Sequence, residues 1–268
     1  MNDLILTHKD DAQFVDLSRK LDLLKDEFEI EFTSTEDFLY LGLYKKFNQV
    51  YVELNEVASA DVSLQFSYFN GSTWVSNNVA DDTNGLIRSG FWYIEKKDDW
   101  QKTTIDSKEA FWIRISAADF AATFAGIDIV YADDHDLKVE FRDVLDYVAK
   151  NDNSLIAYHV AARNEIVNSM RVGGWSIPVD RLNKDFKQFN KWDFLEPQEI
   201  RQAAIYLALS KLMFDVSQGN DDKFYIKYRD YLNKFGESFR LVYLSIDSND
   251  NGEADDILGE TEGRTFKV

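Results

Sequence analysis

The segment Asp247-Ser-Asn249-Asp-Asn251-Gly252-Glu253-Ala-Asp255 carries the most specific spacing of ligand-type residues in the chain. Oxygen-bearing side chains at alternate positions, with glycine in sixth place, are what a backbone needs to curl around Ca²⁺. Asp247, Asn249, Asn251 and Asp255 are therefore the candidate metal ligands. The twelfth position is Leu258, where a regular EF-hand supplies a bidentate Glu, and Glu260 follows two residues late. The loop fits a shorter DxDxDG type, and its rival is an acidic tail without metal. Asp247, Asp250, Glu253, Asp255, Asp256, Glu260 and Glu262 stand there with no basic residue between them. The missing ligand predicts weak calcium binding or none, and no other cofactor is expected. Ile257, Leu258, Phe266 and Val268 are apolar enough to add to the edge of a neighbouring protein, and they are the candidate interface residues.

Other reactive residue types form no recognisable machinery. The histidines, His8, His135 and His159, lie far apart and none has HExxH spacing. GxSxG, P-loop and GxGxxG patterns are absent. Zero cysteines exclude thiolate zinc sites, Cys nucleophiles and disulfides. Asp133, Asp134, His135 and Asp136 form a cluster of hard ligands, which reads more simply as a solvated linker where the hydrophobic period changes. Trp74, Trp92, Trp100 and Trp112 would stack on sugar rings if exposed, but at strand positions between aliphatic neighbours they read as core. The chain is expected not to be an enzyme.

The elements that must position these residues follow from pattern. The 268 residues are 45% hydrophobic and 15% aromatic, enough to fill real cores. The length suggests about two domains. With 48 acids against 30 bases the formal net charge is −18. That argues against a phosphate-gripping nucleic-acid binder and against docking on an anionic membrane. The longest apolar run, Ala203 to Leu209, is far short of a membrane span. Met1 to Lys9 lacks the basic and apolar regions of a signal peptide.

Phe14, Leu17, Leu21 and Leu24 recur at helical steps behind Asp10 and Asp11, predicting a short first helix. Phe28, Ile30 and Phe32 then alternate with glutamates as a strand. From Asp37 to Ala132 short alternating runs separated by Asp, Asn and Gly predict an antiparallel sandwich or jelly roll, with Asn70-Gly71 as a hairpin turn. Leu137, Val139 and Phe141 form a brief alternating piece. Helices are predicted over Ala157–Arg171, Glu199–Val216 and Lys223–Leu244. The last has the cleanest period, through Phe224, Tyr228, Tyr231, Phe235, Phe239 and Val242. The fold class is α+β: an antiparallel β-sandwich, jelly-roll-like, followed by a small helical bundle. The expected division is 1–36 as a helix-and-strand arm, 37–134 as the sandwich, 135–246 as the helical domain and 247–268 as the acidic tail.

The runs Tyr40-Leu41-Gly42, Phe47-Asn48-Gln49-Val50-Tyr51, Tyr68 to Trp74, Asp82-Thr83, Ser89-Gly90, Asp99-Trp100 and Phe111 to Ile115 resemble a β-sandwich module of tailed-bacteriophage structural proteins. The helical region, about Val144 to Leu244, is similar to the small helical head-to-tail connectors, although those usually lack so large a β module. The resemblance implies a neck adaptor: a dodecameric homo-oligomer ring that docks on the portal protein, extends the DNA channel and presents a platform to the next neck or tail protein. DNA would pass without specific binding, and the protein would be made in the host cytoplasm and reside in the virion. The rival expectation is a carbohydrate- or host-binding module on a virion appendage.

Overall fold

The computed structural model describes residues 4–10, 13–24, 27–34, 36–58, 62–117, 120–149, 152, 154–172, 176–180, 185–246, 256–261 and 264–267. The chain divides into two compact units, Met1–Ile129 and Val130–Val268. The fold is α+β, with two antiparallel sheets in the first unit and helices in the second.

In the first unit the strands are β1 (Ile5–Asp10), β2 (Gln13–Asp16), β3 (Phe28–Phe32), β4 (Phe38–Leu43), β5 (Gln49–Glu56), β6 (Gln65–Phe69), β7 (Trp74–Ser76), β8 (Val79–Asp81), β9 (Gly90–Ile94), β10 (Lys102–Ile105), β11 (Lys108–Ser116) and β12 (Phe120–Asp128). One sheet runs β2-β1-β4-β11-β6-β7, with β10 also on β11; the other runs β3-β12-β5-β9-β8. Alternation decides what goes inside. Leu39, Leu41 and Leu43 of β4 are buried beside Ile113 and Ile115 of β11, while Ile30 and Phe32 of β3 are buried in the other sheet. Rings cross between the sheets: Phe66 meets Trp92 edge-on at 5.4 Å, and His8 lies 5.6 Å from Phe32. Trp92, Trp100 and Trp112 are all 1% exposed or less, the first and last on strands as expected and Trp100 in the turn segment before β10. Gly42 sits under Trp112, and a Cβ there would come within 2.5 Å of its ring, so only glycine fits. Asn70-Gly71 turns β6 into β7, with Gly71 at φ +96° and the Asn70 side chain accepting from the Ser72 and Thr73 amides.

The predicted first helix is absent. Phe14 lies in β2, hydrogen-bonded back onto β1, and a single 3-10 turn at Ser18–Lys20 follows. A short helical period is a weak signal, and pairing with a neighbouring strand outweighs it. Residues 1–36 are thus not a separate arm: β1 pairs with β4 and β3 with β12.

The second unit contains α1 (Asp134–Glu140), α2 (Ile156–Val172), the hairpin β13 (Ser176–Asp180) and β14 (Asp185–Gln188), α3 (Arg201–Val216), α4 (Lys223–Arg240), and a sheet of β15 (Tyr243–Ile246), β16 (Asp256–Thr261) and β17 (Arg264–Lys267). Leu137, Val139 and Phe141 are not a strand. Leu137 is buried in α1, and Val139 is 78% exposed on its other side. The third helix stops at Arg240, so the buried Val242 and Leu244 follow it, Leu244 in β15. α3 packs against both α2 and α4, with Ala203, Ala204, Leu207, Ala208 and Leu212 in the core.

Candidate functional site

The candidate calcium ligands and the Asp133–Asp136 run lie in different segments, and the structure treats them differently. Asp247, Asn249, Asn251 and Asp255 lie outside the described residues, as does Val268. Ile257 and Leu258 are in β16, paired opposite Ser245 and Leu244, and Phe266 is in β17 opposite Gly259. The edge for these strands is therefore supplied by the chain itself. β15 is in turn held by Glu199, whose carboxylate accepts from the Ser245 amide and hydroxyl at 2.8 Å each.

Asp133 to Asp136 are not a solvated linker. The Asp133 carboxylate accepts from the Asp136 amide at 2.9 Å, and the Asp136 carboxylate accepts from the Asp133 amide at 3.1 Å. This reciprocal cap satisfies two orphan donors at the start of α1. Asp136 also takes a two-point contact from Arg201, through Nε at 2.8 Å and Nη2 at 2.7 Å. Asp134 faces the other way, 2.9 Å from His159 Nε2, and it accepts the Leu155 amide at the head of α2. One short acidic run thus latches α1 to α2 and α3. Burial pushes the Asp133 carboxyl up from its ordinary value. The His–Asp pair is built into this latch, joining α1 to α2. Among the described residues no group of three or more His, Cys, Asp or Glu could hold a metal ion.

A groove of about 580 Å³ lies within the helical unit. Leu207 and Ser210 of α3 form its floor, Ala157 and Ala161 of α2 one wall, and Tyr228 and Leu232 of α4 the other. Lys211 pairs with Glu165 across it. Asp152 and Asp215 also line it, both exposed, and both charges act on Tyr158. Burial, then the Asp215 charge, push the Tyr158 hydroxyl up to about 12. Beside the groove the apolar stripe of α4 is incompletely covered. Only Tyr231 of this helix is buried, while Phe224, Tyr228, Phe235 and Phe239 are half-buried. Phe214 is 54% exposed and Ile226 62%. The sequence located the stripe; the groove and the latch it missed. A D-x-x-D spacing ahead of Leu137 was the available signal for the latch.

A second surface lies on the outer face of the first sheet. Register sets Tyr40 opposite Arg114 and Gly42 opposite Trp112, facing away from Leu41 and Ile113. The Arg114 guanidinium is sandwiched between Phe38 and Trp74, 4.6 and 4.7 Å from their ring centres. Phe14, 41% exposed, continues the row of rings 6.2 Å from Tyr40. Trp74 is the exception among the four sandwich tryptophans, being half-buried on this face. Burial pushes the Arg114 guanidinium down from its ordinary value.

No protein-family model and no curated protein matches the chain. Among solved structures it is similar to a family 89 glycoside hydrolase from Clostridium perfringens in complex with PUGNAc. There the TM-score is 0.27 and the identity 13%, over 65% of this chain and 20% of that one. The same enzyme family in complex with 2-acetamido-1,2-dideoxynojirmycin gives 0.25 and 12%, over 59% and 18%. The chain spans about a fifth of the length of these enzymes. Likenesses this distant carry no argument about fold or activity.

Proposed function

We propose that the chain is a structural virion protein: a ring-forming head-to-tail adaptor that docks on a portal, extends the DNA channel and joins it to the next neck or tail protein. Its role is assembly rather than catalysis. The observation that supports this reading is the helical unit's unfinished packing. A helix with four half-buried aromatic side chains beside an open groove offers apolar surface for a protein partner. A net charge of −18 suits a channel that DNA must traverse without sticking. The test is the mass of the purified chain, alone and with portal protein. A ring of many copies that co-sediments with portal is expected; a monomer indifferent to portal would sink the reading.

A second reading, a carbohydrate- or host-binding module, is favoured by the row Phe14, Phe38, Tyr40 and Trp74 around Arg114 on the outer sheet face. It expects sugar affinity that Trp74→Ala abolishes. Absence of binding across a panel of immobilised glycans would remove it.

A further inference from the structure

We propose that the groove between α2, α3 and α4 receives the outward face of α4 from a second copy of this chain, so that subunits join head to tail. This rests on the ring reading above and adds which surfaces meet.

The groove is lined by apolar residues of all three helices and by the exposed Asp152 and Asp215, while its Lys211 is already paired with Glu165. Asp152 and Asp215 have no ion-pair partner among the described residues, although Asp215 hydrogen-bonds with Tyr158. Two exposed carboxylates beside an apolar trough call for a ligand with an aliphatic part and a cation one step away. The outward face of α4 has that composition. Ile226, Arg229, Asn233, Glu237 and Arg240 are all exposed and recur at three- and four-residue steps, so they share one face. Ile226 and Arg229 are one turn apart. Arg229 has no acidic partner among the described residues, whereas the nearby Lys227 lies over the Phe141 ring at 3.8 Å. The acids on or beside this face are Glu237 and Asp230, and Asp230 lies 3.9 Å from Lys234.

A subunit cannot satisfy its own groove this way. Tyr228 and Leu232 are the α4 residues that wall the groove. Each step along a helix turns about 100°, so the Ile226–Asn233 face points well away from that wall. Groove and occupant are therefore different surfaces of one molecule. Such a contact is heterologous, and repeated copies form a closed ring when the rotation closes. The small Ala157 and Ala161 let a foreign helix approach α2 closely.

The test is a charge swap in the full chain, read by sedimentation velocity at tens of micromolar, with circular dichroism to confirm folding. Arg229→Glu and Asp215→Arg are each expected to weaken self-association by about tenfold or more, because each sets like charges together. The double variant restores opposite charges and is expected to recover most of the association. Single variants that assemble like the wild type, or a double variant no better than the singles, would overturn this interface and leave the ring reading standing. A wild-type chain that stays monomeric both alone and with portal protein would overturn both.

Discussion

The β unit and the helical unit solve the same burial problem to different degrees. In the sandwich, three tryptophans are essentially inaccessible: Trp92 packs on Phe66, Trp100 on Phe47, Tyr68 and Phe111, and Trp112 on Tyr40. In the helical unit Phe189, Trp192 and Phe194 are buried as well, but on α4 Phe224, Tyr228, Phe235 and Phe239 remain half-open to solvent. The sandwich closes its core between two sheets of one copy, leaving Phe14 and Trp74 partly open on its outer face. The bundle leaves apolar surface uncovered, and the contrast teaches that aromatic content alone does not locate a core.

The comparison breaks most readily at Trp92. Its ring fills the space between the sheets and its Nε1 donates to Asp81 at 3.0 Å. Trp92→Ala should cost the β unit about 4 kcal/mol, from lost burial and an unfilled cavity. Denaturant unfolding followed by the remaining tryptophan fluorescence checks it, and a loss under about 1 kcal/mol would place that ring outside the core. Asp136→Ala comes next. It removes one half of a reciprocal cap and leaves Arg201 without that carboxylate, an expected loss of about 2 kcal/mol in the helical signal at 222 nm. An unchanged midpoint would mean that the latch contributes nothing.

Phe235→Ala sharpens the contrast. A half-buried ring 5.3 Å from Phe239 should cost only about 1 kcal/mol in the isolated subunit. A loss as large as that of Trp92→Ala would erase the distinction between the units. The smallest effect is at Tyr158. Its folded hydroxyl titrates at about 12 against an ordinary 10.0, so the stability it contributes is full below pH 10 and is lost as pH rises toward 12. Asp215→Asn should lower that titration, read as tyrosinate absorbance at 295 nm against a Tyr158→Phe reference. A curve identical to wild type would show that Asp215 does not act on this hydroxyl.

Much of the fold was legible because alternation is a local signal. Leu39-Leu41-Leu43 and Val50-Val52-Leu54 read directly as strands, and the α+β order of sandwich then helices follows from the change of period. What failed was short. Phe14 and Leu17 match a helical step with Leu21 and Leu24 but are held by β1, and Leu137 to Phe141 match a strand step but are held by the Asp133 cap. In both places a contact with a distant or flanking residue outweighs a few residues of periodicity. The end of α4 is similar: Val242 continues the heptad, yet pairing of β15 with β16 takes the chain out of the helix. The groove was not legible at all, since its walls come from three helices whose packing no single window of sequence contains. Nor was the His159–Asp134 contact, which joins residues 25 apart through the docking of α2.

The latch also has a consequence in time. α1 has seven residues, too few to persist as an isolated helix. Its start is anchored by Arg201, which lies 65 residues downstream of Asp136. At ordinary rates of synthesis that interval is roughly 3 to 13 seconds. During it Asp136 emerges without the basic partner that will hold it, although His159, the partner of Asp134, follows after only 25 residues. The helical unit therefore cannot be finished from its front end as it leaves the ribosome, and α1 closes only when α3 arrives to hold it.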